Sequence, residues 1–254
     1  MNDSQGDFDQ AAVARRLHGA VEDVIALFGR VVEQAGGGMQ ITETGTVQEV
    51  QRGIAEVVGL PHVHADELLR FAGNRQGFAF NLDRDSVGCV LLDSSRQLQA
   101  GTRVDRTGTV LDTPVGEELL GRVIDPIGRP LDGGRPPRCT ERLPCERAAP
   151  PIMRRAPVTV PLQTGLKVID ALIPIGRGQR QLILGDRQTG KTSIATDAII
   201  NQRGRDVICI YCSIGQRSTN VARVIASLRE HRAMEHCLVM IGGDDSPPGI
   251  QYVA

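Results

Sequence analysis

The chain has 254 residues, with 29 basic and 30 acidic side chains, a formal charge of −1 and 41% hydrophobic residues. That composition is globular and excludes intrinsic disorder as the main state, and the charge balance argues against wrapping nucleic acid by bulk charge. No apolar run reaches the roughly 18 residues of a membrane span, and the acidic start MNDSQGDFDQ lacks the apolar stretch of a secretory leader.

Gly (29) and Pro (14) are frequent enough to imply many turns. Of the 29 basic residues, 27 are Arg, and the two Lys are Lys167 and Lys191. A lysine in this chain therefore needs a specific reason. Without a secretory leader the expected compartment is reducing, so the six cysteines are not expected to form disulfides. Cys209 and Cys212 form a C-x-x-C inside an apolar strand run, and are read as structural.

Residues 10–35 predict one amphipathic helix. Val13, Leu17, Val21, Val24, Phe28, Val31 and Ala35 recur every three or four residues, behind a plausible Asp9 cap, and Gly36-Gly37-Gly38 stops the run. Packing within the chain and docking on a partner both explain it. From 40 to 107 the period drops to two. Strands are predicted at Thr46–Val50, Ile54–Val58, Glu67–Phe71, Gly77–Leu82, Gly88–Leu92 and Thr102–Arg106, separated by turn residues. Six short strands so close together favour a small closed barrel, which has no exposed edges. With seven aromatics in the whole chain, no base-stacking platform is expected, and the barrel reads as a structural or assembly domain.

Residues 112–165 read as loop-rich. Residues 122–155 carry eight Arg against four acids, which fits either a solvated surface or attraction for a polyanion, a nucleotide or an acidic partner. Strand and helix then alternate. Gln181–Leu184, Val207–Ser213 and Cys237–Ile241 are predicted strands, the second of them buried. Thr192–Ile200 and Thr219–Glu230 are predicted helices, which implies a parallel α/β sheet. The domains are accordingly 1–36 (helical extension), 37–107 (barrel) and 108–254 (an α/β domain).

Gly185-Asp186-Arg187-Gln188-Thr189-Gly190-Lys191-Thr192 fits G-x-x-x-x-G-K-[ST] between a predicted strand and a predicted helix. The glycines let the backbone approach phosphate oxygens, and the helix N-terminus offers N–H groups to them. Lys191 brings a compact charge to the outer phosphates, which an Arg fork does not replace well. Thr192 brings a hydroxyl to Mg²⁺. Ligands of parallel sheets lie beyond the carboxyl ends of strands, so Gln216, just after the strand at 207–213, should face the terminal phosphate. An amide cannot take a proton from water as a carboxylate does. The site is therefore expected to bind nucleotide and hydrolyse it poorly, with no catalytic residue of its own.

Several segments together resemble the alpha-subunit branch of the F-type ATP synthase family: GDRQTGKT, PIGRGQRQLILG, SIATDAIINQ, SIGQRSTNVARV, TGTVLDTPVGEELLGRVIDPIGRPLDG, PLQTGLKVIDALIPIGRG, GTVQEVQRGIAEVVGL and GFAFNLDRDSVGCVLLD. The resemblance covers about residues 10–254. It implies an α/β P-loop (RecA-like) nucleotide-binding domain, incomplete here, preceded by a small all-β barrel and an N-terminal helix. It also implies a regulatory nucleotide site for ATP or ADP with Mg²⁺, built from Gly185, Asp186, Arg187, Gln188, Thr189, Gly190, Lys191, Thr192, Ser193 and Gln216. By the same resemblance the partners are beta subunits of a catalytic ring, with gamma and delta or stalk subunits. The place implied is the cytoplasmic face of a bacterial inner membrane, peripheral, in a complex coupling ATP synthesis or hydrolysis to proton transport. Nucleic acid and a membrane span are not expected.

The chain departs from the family by stopping before the Walker B strand, the Arg given to the neighbouring catalytic site and the helical C-terminal domain, and so reads as truncated. Gln181–Leu184 is then expected to keep unpaired N–H and C=O groups on at least one side, with the barrel the steadier part. Two other readings share this superfamily. An independent hexameric secretion motor is disfavoured by the amide at 216. A termination-type RNA helicase is disfavoured by the few aromatics and the near-zero charge. An inactive fragment is the remaining alternative.

Overall fold

The computed structural model describes residues 43–254; the extension 1–36, with its predicted helix, lies outside the described residues. Six strands come first: β1 Thr44–Gln51, β2 Ile54–Val58, β3 Glu67–Phe71, β4 Arg75–Leu82, β5 Val87–Leu91 and β6 Arg103–Val110. All pair antiparallel in the order β1-β2-β5-β4-β3-β6, and β6 returns to β1 to close the barrel. The alternation that predicted them also fills the inside. Val47, Val57, Leu69, Phe71, Leu91 and Val104 meet in one buried cluster. The β1–β2 hairpin turns on Arg52 and Gly53, at φ 45 and 86, the doubly left-handed two-residue turn whose twist matches the strands. Gly45 is required for space, because a Cβ there would lie 2.7 Å from the Leu60 side chain and 2.8 Å from the Val58 carbonyl.

One charge is buried at the barrel wall. Glu67, 2% exposed, accepts bonds from Arg106 Nε (2.9 Å), Arg106 Nη2 (2.8 Å), His64 N (3.1 Å) and Gly108 N (3.0 Å). Arg106 also reaches Glu43 through Nη1 at 2.8 Å. Burial pushes the Glu67 carboxyl up, but these donors outweigh it and leave its pKa below the ordinary value.

The region read as loop-rich, 112–165, holds four short strands. β7 (Asp112–Val115) pairs antiparallel with β9 (Glu141–Pro144). β8 (Val123–Ile124) joins a parallel sheet with two later strands, β12 (Cys209–Ile214) and β13 (Cys237–Gly242), in the order β12-β13-β8. Between them lie the two-residue strands β10 (Pro161–Leu162) and β11 (Ile175–Gly176), and helices α1 (Lys167–Leu172), α2 (Lys191–Ile200) and α3 (Ser218–Glu230). Helix α4 (Pro248–Val253) follows β13. Val221, Val224 and Leu228 recur along one face of α3, which packs on Cys209, Tyr211 and Val239. The strand expected to be buried over 207–213 is buried on one face only. Ile210 and Ile214 point the other way and are 62% and 53% exposed, because no layer covers that face among the described residues.

Arg129 ties the barrel to this sheet. Its guanidinium donates to Asp93 Oδ1 (2.6 Å), Asp93 Oδ2 (3.2 Å) and Gln76 Oε1 (3.1 Å) on the barrel. Its backbone N–H donates to the buried Asp125 (2.7 Å), the residue directly after β8. Of the eight Arg in 122–155, Arg122, Arg129 and Arg142 are thus paired within the fold, to Asp132, Asp93 and Asp112, which offsets their charge locally.

Candidate functional site

The loop before α2 turns on two left-handed residues, Gln188 at φ 63 and Gly190 at φ 87, and Gly190 is the N-cap of α2. Thr189 Oγ1 donates to the Asp186 carbonyl at 2.8 Å and stiffens the turn. Lys191 Nζ donates to the Gly185 and Asp186 carbonyls, so the lysine folds back over the loop. No side chain caps α2. The N–H groups of its first turn, other than that of Ile194, which donates to the Gly190 carbonyl, remain open to an acceptor. Asp186, Arg187 and Gln188 are exposed, as are Thr192 and Ser193, whose hydroxyls make no hydrogen bond among the described residues. Open N–H donors, an ammonium held only by loop carbonyls and no covering side chain make a concavity for a polyanion of phosphate size.

The chain entering this loop differs from expectation. Gln181–Leu184 forms no strand, and Leu182, Ile183 and Leu184 are 78%, 41% and 87% exposed. A strand exists only through a ladder partner for its N–H and C=O groups. No described strand lies beside this segment to supply one, so the apolar run is extended and unpaired on both sides.

Gln216 follows β12 and is half-buried. The loop around it is held to the loop after β13, with Gly215 N donating to Gly242 O at 2.8 Å and Asp244 N to Gln216 O at 3.3 Å. The residues from Gly185 to Ser193 are thus brought together, whereas no hydrogen bond joins Gln216 to them among the described residues. No cluster of three or more His, Cys, Asp or Glu suited to a metal occurs among the described residues. Thr192 is one free hydroxyl beside the phosphate concavity, which fits a Mg²⁺ held chiefly by phosphate oxygens and water rather than by a protein cage.

One feature behind the loop was not read from the sequence. The turn Gln163–Gly165 meets the far end of α2 through Asn201 Nδ2, which donates to Thr164 O at 2.9 Å, and Gln202 Nε2, which donates to Gln163 O at 2.8 Å. The partner of Thr164 lies 37 residues on, beyond the reach of any local pattern.

Residues 41–108 match the ATP synthase alpha/beta family beta-barrel domain, and residues 165–254 match the ATP synthase alpha/beta family nucleotide-binding domain; together they take in more than half of the chain. The chain is 68% identical over 234 residues to "ATP synthase subunit alpha 1" of Rhodopirellula baltica, covering 92% of this chain and 46% of that protein. It is 60% identical over 212 residues to "ATP synthase subunit alpha 2" of Albidiferax ferrireducens, covering 84% and 40%. With "ATP synthase subunit alpha 2" of Syntrophus aciditrophicus it shares 51% over 240 residues, covering 94% and 46%. The chain therefore spans about half the length of the curated relatives it matches. No helix among the described residues is long and apolar enough to cross a membrane.

Proposed function

Since the chain belongs to the ATP synthase alpha/beta family, we propose that it is the barrel and phosphate-loop portion of an alpha-type subunit, holding a regulatory nucleotide without hydrolysing it. The observation that carries this reading is the loop Gly185–Ser193, with its left-handed Gly190 cap, uncapped helix start and Lys191. Lys191 leaves the loop carbonyls for the outer phosphates of ATP or ADP, while the N–H groups of Lys191, Thr192 and Ser193 donate to the oxygens of the inner ones. Arg187 and Gln188 border the site, and Thr192 Oγ1 completes the shell of a nucleotide-bound Mg²⁺. Gln216, at the carboxyl end of β12, orients water or a phosphate oxygen, and as an amide it takes no proton.

In the assembled enzyme this portion stands beside beta subunits, around gamma and under the delta or stalk subunits, at the cytoplasmic face of a bacterial inner membrane. There it serves ATP synthesis coupled to ion transport. The segments 1–36, 37–107 and 108–254 act as the extension, the barrel and the nucleotide-binding part. Nothing in the fold favours a secretion motor or a helicase. Calorimetric titration with MgATP tests the reading: Lys191→Ala should abolish the binding seen in the parent chain, and equal affinity in both would refute it.

A further inference from the structure

We propose that Asp170 is a positioning residue for the phosphate loop: its carboxylate builds a socket at Gln163–Gly165 that holds the rear of α2, and so sets where Lys191 and Thr192 lie. This rests on the nucleotide-binding reading above. Asp170 touches neither the loop nor α2, and acts through the turn alone.

The turn divides its hydrogen-bonding groups between two neighbours. Its donors go to Asp170: Thr164 N (2.9 Å) and Thr164 Oγ1 (2.6 Å) to Oδ1, and Gly165 N (2.9 Å) to Oδ2. Its carbonyls go to the rear of α2, accepting from Asn201 and Gln202 as described above. Thr164 and Gln202 are buried, at 2% and 3% exposed, Asp170 is half-buried, and Gln163, Gly165 and Asn201 form the exposed rim of the junction. The fit needs a glycine at 165, where φ is +79 and a Cβ would lie 2.2 Å from Asn201 Nδ2. With its donors held by the carboxylate, the turn keeps its carbonyls aimed at the helix.

The phosphate loop lies inside the stretch of chain that this junction closes. One side of the loop, Gln181–Leu184, has no ladder, so the loop is placed from its other side, by α2. That helix is also held by its packing through Ile199 and Ile200 and by a His236 Nε2 contact to Ile199 O at 3.0 Å, both near its rear. A ten-residue helix is about 15 Å long, so a tilt of about 10° at the rear moves its first turn by about 2.5 Å. N–H donors work within a spread of about 0.5 Å, so such a tilt takes them off the phosphate.

The test uses the 254-residue chain with Asp170→Ala, Asp170→Asn, Thr164→Val and Lys191→Ala. It reads MgATP affinity by calorimetry, amide hydrogen exchange over 185–193 and over the barrel, and the denaturation midpoint. Loss of three charge-assisted bonds in Asp170→Ala should weaken MgATP binding about tenfold and speed exchange over 185–193. Barrel exchange should not move, which separates positioning from general destabilisation. Asn keeps an acceptor for Thr164 but sets an N–H donor against Gly165 N, so Asp170→Asn should fall between parent and Ala. If Asp170→Ala does not fold, Thr164→Val, which keeps both backbone donors to Asp170 but removes the Oγ1 bond to it and the one that Oγ1 accepts from Leu166 N (3.2 Å), decides by the same readouts with a loss of about threefold. Lys191→Ala abolishing binding while the Asp170 and Thr164 variants match the parent in affinity and exchange would overturn the socket alone. If the parent binds no MgATP, or Lys191→Ala binds as the parent does, the nucleotide reading falls. The exchange over 185–193 then judges the socket by itself, with equal rates in parent and Asp170→Ala refuting it.

Discussion

Replacing Glu67 by Gln should unfold the barrel far more easily than its small change in shape suggests. The carboxylate takes four donors, two of them from Arg106, at a position 2% exposed. Gln keeps one oxygen for two of these donors and sets an N–H₂ against the others. Removing one partner of a buried ion pair costs about 3–5 kcal/mol. Arg106 retains Glu43 at 2.8 Å, so the lower end applies, about 3 kcal/mol. For a barrel of this size that corresponds to a fall in Tm of roughly 12–24 °C. Replacing both Glu67 and Arg106 by Leu should cost less than Glu67→Gln alone, because no unpaired charge is left inside. The pH dependence has a fixed sign. The folded pKa of Glu67 lies below its unfolded value, so its contribution is complete above the unfolded value of about 4.3 and is lost as pH falls toward the folded one. The parent barrel should therefore lose stability steeply below about pH 4.3, and Glu67→Gln less steeply. Urea denaturation followed by circular dichroism, with exchange of barrel amides as the local probe, measures both effects. A Glu67→Gln midpoint within about 0.5 kcal/mol of the parent at pH 7 would refute the reasoning.

Gly45→Ala should cost about 2–3 kcal/mol by overpacking against Leu60 and the Val58 carbonyl; a melting curve like the parent's would show that the wall yields. Alkylation at pH 8 followed by mass spectrometry should label the exposed Cys212 well before Cys89 and Cys237, whose thiols burial pushes up to about 12 and about 11; Cys89 labelled first in the native chain would contradict the closed barrel. Amides of Gln181–Leu184 should exchange within the shortest labelling time while those of β1–β6 stay protected, and slow exchange at 181–184 would reveal a ladder that the fold lacks.

The barrel was legible because period-two alternation is a local signal, and every predicted strand has its counterpart among β1–β6 within a few residues. The start of α2 was legible for a similar reason, since a glycine, a lysine and a hydroxyl must sit together in sequence to cradle one phosphate. Distant partners were not legible. β8 is two residues long, and only its pairing with Val239 and Met240, more than a hundred residues on, makes it a strand. The burial of Glu67 depends on Arg106, 39 residues away. The apolar run at 181–184 misled in the opposite direction, because hydrophobicity proposes a strand and only a neighbour can make one. Ile210 and Ile214 carried the same ambiguity, since alternation marks two faces without saying whether both are covered.

The grip of Arg129 has a mechanical consequence. The residue that closes the turn after β8 also holds Asp93 and Gln76, and α4 seats Ile250 and Tyr252 against Leu92, Phe78 and Phe80 of the barrel, so barrel and sheet are joined by a short charged clasp and an apolar seat rather than through a tether. A joint of that length has no slack, and a rotation of the barrel is carried directly into β8 and on to its ladder partner β13. The compliant part of the chain lies elsewhere. Residues 146–159 are all exposed, and their hydrogen bonds stay within the segment, so this strap bends before the Arg129 joint does. Torque applied to the barrel would thus arrive at the end of β13, beside Gln216, while the stretch leading to the phosphate loop trails behind on a looser leash.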